Sequence, residues 1–286
     1  MPGLFDDRPL VMGVLNVTPD SFSDGGRYLD PDAAVARGLT MADEGADVVD
    51  VGGESSRPGA HPVPEAEELA RVVPVVRALA GRVRVSVDTV KAAVAEAAVE
   101  AGATLVNDIS GRLWPVAAEA QVGWVSMHMQ GTPADMQRQP HYDDVVAEVG
   151  DQVVRQATAA LDAGVPEVWL DPGIGFGKTA GHNLSLLHHL DQLVAAADAL
   201  GQRVLVGTSR KRFLGALGPA GAEPRGVEDR LEGSLATAVW AMAQGAGMVR
   251  VHDVAPTVAA ACLVGRPGAL RHVGAPPHAA PATVAS

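Results

Sequence analysis

The chain has one cysteine, Cys262, among its 286 residues. An internal disulfide is therefore excluded, and nothing calls for an oxidising compartment. No uninterrupted apolar stretch reaches the ~20 residues that a membrane-crossing helix needs. The opening residues, MPGLFDDRP, have neither the basic start nor the apolar core of a signal peptide. These absences predict a cytosolic protein with no membrane partner. Basic charge is scarce as well: 22 Lys and Arg stand against 34 Asp and Glu, a net charge of −12. That balance argues against a nucleic-acid partner or an anionic membrane surface. An anionic small molecule can still bind, provided the positive charge is local, and Arg57, Lys211, Arg250 and His252 are the candidates. No Cys/His cluster suggests zinc, and no G-x-S-x-G nucleophile elbow is present.

What is present is a repeated pattern. Eight times a short apolar run ends in a polar or glycine-rich motif, usually followed by a helix-like stretch. The junctions are VMGVLN at 11–16, DVVDVGGESSRPG at 47–59, VRVSVDT at 83–89 and TLVNDISG at 104–111. They continue with WVSMHMQG at 124–131, VWLDPGIGFGK at 168–178, RVLVGTSRKRF at 203–213 and MVRVHDV at 248–254. Unbroken apolar runs suit parallel strands covered on both faces. Eight strand–helix units predict an α/β chain folded as a single (β/α)8 TIM barrel, which takes about 250 residues and builds its site at the carboxyl ends of the strands. The expected division is an extension at 1–9, a barrel at 10–265 and a flexible Ala/Pro-rich tail at 266–286.

Helical spacing backs this reading. Leu69, Val72, Val73, Val76 and Leu79 form one apolar stripe, and Val145, Val149, Val153, Ala157 and Leu161 another. Asp30 and Pro31 suit a helix start. Gly45, Gly102 and Gly164 suit helix ends. Two connections, 18–30 and 54–64, are rich in Gly, Pro, Ser and Asp and are candidate lids.

Chemistry concentrates at the junctions. Asp88, Asn107 and Asp171 end strands, where two carboxylates and a carboxamide can receive the N–H edge of a flat heterocycle. An Asp in such a place also caps helices. Arg250 and His252 are two apart on the last strand and face one way. Asn16 ends the first strand, adjacent once the barrel closes. The three suit an anionic group, with room for a hard cation that takes oxygen ligands. GIGFGKT at 173–179 is one residue short of a phosphate loop, because Pro172 stands where that motif needs glycine. The tract is expected to let the chain approach a ligand closely. His128 is as suited to a core as to a ligand. In the run SRKR at 209–212, Lys211 shares a face with Ser209 if the strand continues.

The ordered motifs resemble those of dihydropteroate synthase. MGVLNVTPDSFSDGG at 12–26 looks like the family's first signature and GGESSRPGA at 52–60 like its second. SVDT, NDISG, MHMQGTP, DPGIGFGK, SRKRFLG and RVHDV follow in family order, so the likeness covers about residues 10–264. The resemblance implies condensation of 6-hydroxymethyl-7,8-dihydropterin diphosphate with 4-aminobenzoate, giving 7,8-dihydropteroate and pyrophosphate. It implies Asp88, Asn107, Asp171 and Lys211 on the pterin, and Asn16, Arg250 and His252 on the diphosphate. Mg2+ would sit on Asn16. Ser21, Phe22, Ser56, Arg57, Pro58, Phe176, Ser209 and Lys211 would surround the 4-aminobenzoate, with Arg57, Lys211, Arg250 and His252 as the catalytic set. Many family members carry Thr where this chain has Ser56, a loss of one methyl that could alter the fit of sulfonamide drugs. The family is typically a homodimer through late barrel helices. Two other readings compete, a pterin-binding methyltransferase barrel and a non-catalytic paralogue. The first needs no diphosphate site, which Arg57, Arg250 and His252 argue against; the second should show eroded loops, yet TPDSFSDGG and ESSRPG are intact.

Overall fold

Eight parallel strands close into one barrel in chain order: β1 (Leu10–Asn16), β2 (Val48–Gly52), β3 (Arg84–Asp88), β4 (Leu105–Asp108), β5 (Gly123–Met127), β6 (Val168–Asp171), β7 (Arg203–Val206) and β8 (Met248–Val251). This is the (β/α)8 architecture the repeat predicts. The computed structural model describes residues 8–18, 31–55, 62–133, 135–217, 226 and 229–265. Ser21, Phe22, Ser56, Arg57 and Pro58 lie outside the described residues, as do 1–7 of the N-terminal extension and the tail from 266.

The helices that matter here are α1 (Pro31–Asp43), α2 (Glu65–Leu79), α3 (Ala92–Glu100), α4 (Trp114–Ala120) and α5 (Val145–Asp162). They are followed by α6 (Ala180–His188), α7 (Leu190–Ala199), α8 (Arg212–Gly215), α9 (Leu231–Ala243) and α10 (Val254–Val264). The outward faces of the strands meet the helix stripes in one continuous core. Val49, Val51 and Val87 lie there with Val72, Val76 and Leu79 of α2, and Trp124 and Leu170 with Val149, Val153 and Ala157 of α5. Gly45, Gly102 and Gly164 follow helices with φ of 95°, 115° and 93°, the left-handed backbone that lets a chain leave a helix and re-enter a strand.

A second, smaller cluster fills the barrel. Met12, Val48, Leu105, Val125, Trp169, Leu205 and Met248 are buried on the inward face. Alternation places the next inward side chain two residues on, about 6–7 Å higher. Those residues are Val14, Asp50, Asn107, Met127, Asp171, Gly207 and Arg250, four of them polar. Register adds the neighbours: Gly52 pairs with Asp88, and Asp88 with Asn107. The interior is thus apolar below and polar above, and the polar layer lies at the carboxyl ends of the strands.

Helix α5 starts on a side-chain cap. The Asp144 carboxylate accepts from Val146 N at 3.0 Å and Ala147 N at 3.1 Å. Replacing such a cap with Ala costs ~1 kcal/mol. Asp144→Ala is therefore expected to lower stability by about that amount in urea unfolding while the barrel's far-UV circular dichroism is kept; an unchanged midpoint would show the cap to be idle.

Candidate active site

The polar layer is built around one guanidinium. Arg250 on β8 donates through Nε to Asp50 Oδ2 at 2.6 Å and through Nη2 to Asp88 Oδ2 at 2.6 Å. The same Asp50 oxygen accepts from Asn107 Nδ2 at 2.9 Å. Four strands, β2, β3, β4 and β8, are tied by these contacts, and the Asp50 side chain is fully buried. Asn107 gives its NH2 group to Asp50, so its carbonyl oxygen remains as the acceptor it can offer a ligand. Burial pushes the Asp88 carboxyl up, against the pull of Arg250; the Asp50, Glu68 and Asp108 charges push it further. Arg250 is held protonated by the two carboxylates despite its burial.

Asp50 was not among the residues expected in the site. The signal was present: one acid interrupts the apolar run VVDV of β2, two residues before Gly52 and therefore in the inward phase. By contrast Asp108, the last residue of β4, faces away from the barrel interior and closes the turn that leads to α4. Its Oδ1 accepts from Ser110 N at 2.8 Å, and its Oδ2 from Arg112 N and Leu113 N at 2.6 Å.

Asp171 Oδ1 accepts from Gly173 N at 2.7 Å, turning the chain out of β6, and burial raises the carboxyl against the charges of Lys211, Lys178 and Arg250. The glycine tract then runs back against the end of β5. A Cβ on Gly173 would lie 1.8 Å from His128 O and one on Gly177 2.3 Å from Gln130 O, with φ of +63° and +60°. The close approach these glycines permit is to protein backbone; at Gly175 it is to the Lys211 stem, 2.8 Å from a Cβ. His128 is a buried partner of Lys178, its Nδ1 2.9 Å from Nζ.

Lys211 crosses from β7 to this loop. Its ammonium donates to Ile174 O and lies 4.3 Å from the Phe176 ring centroid. Burial brings it down to about 8, against the pull of Asp171. The expectation that it shares a strand face with Ser209 does not hold. Strand β7 stops at Val206, and Arg210 turns the chain with φ of 57°, a left-handed conformation uncommon for a side chain with Cβ. Arg210 is clamped there by Asp253, through Nη2 to Oδ1 at 2.7 Å and Nε to Oδ2 at 3.2 Å. Ser209 instead meets His252. Its Oγ accepts from His252 N at 3.1 Å and lies 3.0 Å from His252 Nδ1. Two contacts to one hydroxyl, from the backbone and from the ring, orient the His252 imidazole. Asn16 ends β1, half-buried and in register with Gly52.

Of the described residues singled out from the sequence, the structure joins Asp88, Asn107 and Arg250 in one bonded group. It joins Lys211 with Phe176, and His252 with Ser209. Arg250 therefore stands with the ring-edge carboxylates as well as near the last strand's end. Glu54 Oε2 accepts from Val63 N at 2.9 Å and from Lys91 Nζ at 2.6 Å. Among the described residues no group of three His, Cys, Asp or Glu is placed to hold a metal ion.

Comparison with known proteins agrees with this geometry. The model of a family described as pterin binding enzyme matches residues 12–252. The dihydropteroate synthase of Mycobacterium leprae is 48% identical over 266 residues, covering 89% of this chain and 92% of that one. The solved dihydropteroate synthase of Xanthomonas albilineans, with 4-aminobenzoic acid, is 46% identical at a TM-score of 0.82, covering 95% of each chain. That of Yersinia pestis, in a sulfonamide drug complex, is 46% identical at a TM-score of 0.80, covering 90% of this chain and 93% of that one.

The shared oxygen of Asp50 makes two expectations. Removing one partner of a buried ion pair costs about 3–5 kcal/mol, so Asp50→Ala should unfold at markedly lower urea, a loss that an unmoved midpoint would contradict. Asp50→Asn keeps an acceptor oxygen but removes a charge that raises Asp88. The Asp88 carboxyl should then titrate at lower pH in carboxyl-carbon NMR; no shift, or an upward one, would separate the two residues.

Proposed function

The chain belongs to the dihydropteroate synthase family of pterin-binding enzymes, and we propose that the polar layer around Arg250 carries that family's reaction here. The protein is a transferase of folate biosynthesis. It joins 6-hydroxymethyl-7,8-dihydropterin diphosphate to 4-aminobenzoate, giving 7,8-dihydropteroate and pyrophosphate. The observation that carries the assignment of roles is the bonded group Asp50, Asp88, Asn107 and Arg250, with Asp171 on the adjoining wall. It offers carboxylate and carbonyl oxygens to the N–H groups of one flat ring and a cation beside them. Asp88, Asn107, Asp171 and Lys211 take the pterin. Arg250, His252 and Asn16 take the diphosphate. Phe176 and Ser209 border the 4-aminobenzoate, together with Ser21, Phe22, Ser56, Arg57 and Pro58. The catalytic unit is residues 10–265.

The chemistry follows from the placement. The electron-rich dihydropterin stabilises positive charge on its exocyclic methylene, so the C–O bond to diphosphate breaks early and its electron pair leaves with the diphosphate. Charge then grows on the leaving group, where preorganised donors such as Arg250 and His252 lower the barrier most. The 4-aminobenzoate nitrogen, neutral at pH 7, forms the new C–N bond with its lone pair and afterwards gives up a proton. Asn16 supplies a hard amide oxygen of the kind Mg2+ takes, and an ion that keeps its remaining sites for substrate oxygens and water needs no protein carboxylate cage. Mg2+ so held would neutralise part of the diphosphate charge.

We place the protein in the cytoplasm as a homodimer. None of the described helices is long and apolar enough to cross a membrane. Support for the dimer lies on α6 and α9, where Leu184, Leu231, Val239 and Trp240 are exposed. The Trp240 indole is fixed by its N–H bond to Leu187 O at 2.8 Å, which leaves a rigid apolar face.

Steady-state release of pyrophosphate that requires both substrates tests the function; release independent of 4-aminobenzoate, or none, would reject it. Asp171→Asn should weaken the pterin diphosphate tenfold or more in calorimetry, since leaving a buried donor unpaired costs ~1–3 kcal/mol. An unchanged affinity would remove Asp171 from the site. Trp240→Glu should convert the dimer to monomer in light scattering, and a dimer that persists would move the interface elsewhere.

A further inference from the structure

Lys178 is 3% exposed and has no part in the reaction as described above. Its ammonium reaches Gly173 O at 3.0 Å, Phe176 O at 3.0 Å and His128 Nδ1 at 2.9 Å. Three donors thus meet three acceptors, with His128 O at 3.4 Å beyond them. Two of the acceptors lie within one loop, 173–177. That loop has Gly at three of its five positions, all with positive φ: 63°, 84° and 60°. Glycine backbone has little intrinsic preference to hold such a shape, and only Ile174 and Phe176 have side chains to anchor it. Ile174 is fully buried, and its carbonyl receives Lys211. Tyr142 holds the far end, its hydroxyl donating to Gly177 O at 2.7 Å.

We propose that Lys178 is a positioning residue for this site: from behind, it clasps both ends of the 173–177 loop and so sets where Phe176 and the Ile174 carbonyl meet Lys211. The inference rests on the proposed function for its kinetic consequence, but not for its structural one. The clasp needs a lysine with all three protons opposite an unprotonated imidazole. Burial and the Lys178 charge bring His128 down to about 3. Burial brings Lys178 itself down to about 7, with Asp171 pulling it up and Lys211 pushing it down. The charged and titratable groups around it are His128 on the β5 side, Asp171 at the end of β6, Lys211 after β7, and Tyr142 beside His128. Tyr142 is raised to about 12 by burial. As pH rises through about 7, Lys178 loses one of its three donors while His128 and Tyr142 keep their states.

The test is hydrogen exchange of the 173–177 amides in the full chain, beside steady-state kinetics with both substrates. Lys178→Met keeps the stem and removes the donors. It should speed exchange of the loop at least tenfold and leave that of α5 within twofold. It should also raise the 4-aminobenzoate KM tenfold or more while the pterin diphosphate KM stays within threefold. Unchanged loop exchange overturns the proposal whatever the kinetics, and equal rises in both KM values overturn the link to Phe176. A wild-type protein without turnover would reject the proposed function and leave loop exchange to decide the role of Lys178. Where Lys178→Met fails to fold, protection factors between pH 6 and 8 decide, read in wild type and in Lys211→Met, which removes the Lys211 step from the same loop. The loop's should fall in both relative to those of α5, and parallel trends in either overturn the proposal.

Discussion

Everything at the barrel mouth depends on burying the Arg250 charge. A guanidinium taken out of water is costly unless carboxylates and well-aimed acceptors meet it. Here Asp50 and Asp88 meet it from neighbouring strands, and Asn107 shares the Asp50 oxygen. The consequence is one guanidinium held in place by two carboxylates, inside a chain of net charge −12. The same contacts occupy the Asn107 NH2 group and leave its carbonyl oxygen as an acceptor.

The cost is supported by the rest of the barrel. Below the polar layer, seven apolar side chains fill the interior, and outside the strands a continuous core runs from α1 to α10. Such burial, worth about 25 cal/mol per Å2 of apolar surface, lets the mouth retain groups that do not help the fold. Lys178 is one. Its folded value of about 7 lies below the ordinary 10.5. The unfolded chain therefore binds the extra proton between those limits, and stability rises with pH across that window. A charged lysine kept there at neutral pH works against the fold. The left-handed Arg210 is another such feature, since strained backbone of this kind gathers at functional sites. Its clamp to Asp253 connects the turn carrying Lys211 to the strand end carrying His252.

The barrel was legible because parallel strands leave unbroken apolar runs and each run ended in a recognisable polar motif. Asp88, Asn107, Asp171 and Arg250 were legible for the same reason, standing at the junctions. Asp50 was not, although its inward phase follows from β2. An acid inside an apolar run declares itself only once its partner, 200 residues away in Arg250, is known. The glycine tract was read as a cradle for ligand, yet its bare Cα atoms face the His128 and Gln130 backbones.

The sequence alone determined the fold class and the level at which chemistry gathers, since the period of apolar runs and their polar ends are properties of short segments. Tertiary structure decided which polar groups pair. Closing the barrel brings β8 beside β1 and within reach of β2 and β3, so Arg250 meets Asp50 and Asp88. The turn at Arg210 sends Lys211 to Phe176 and leaves Ser209 to His252. Hydrogen bonds and ion pairs are short-ranged and directional, and their partners come from strands far apart in the chain. Local pattern can propose such groups, but only the closed barrel fixes their partners.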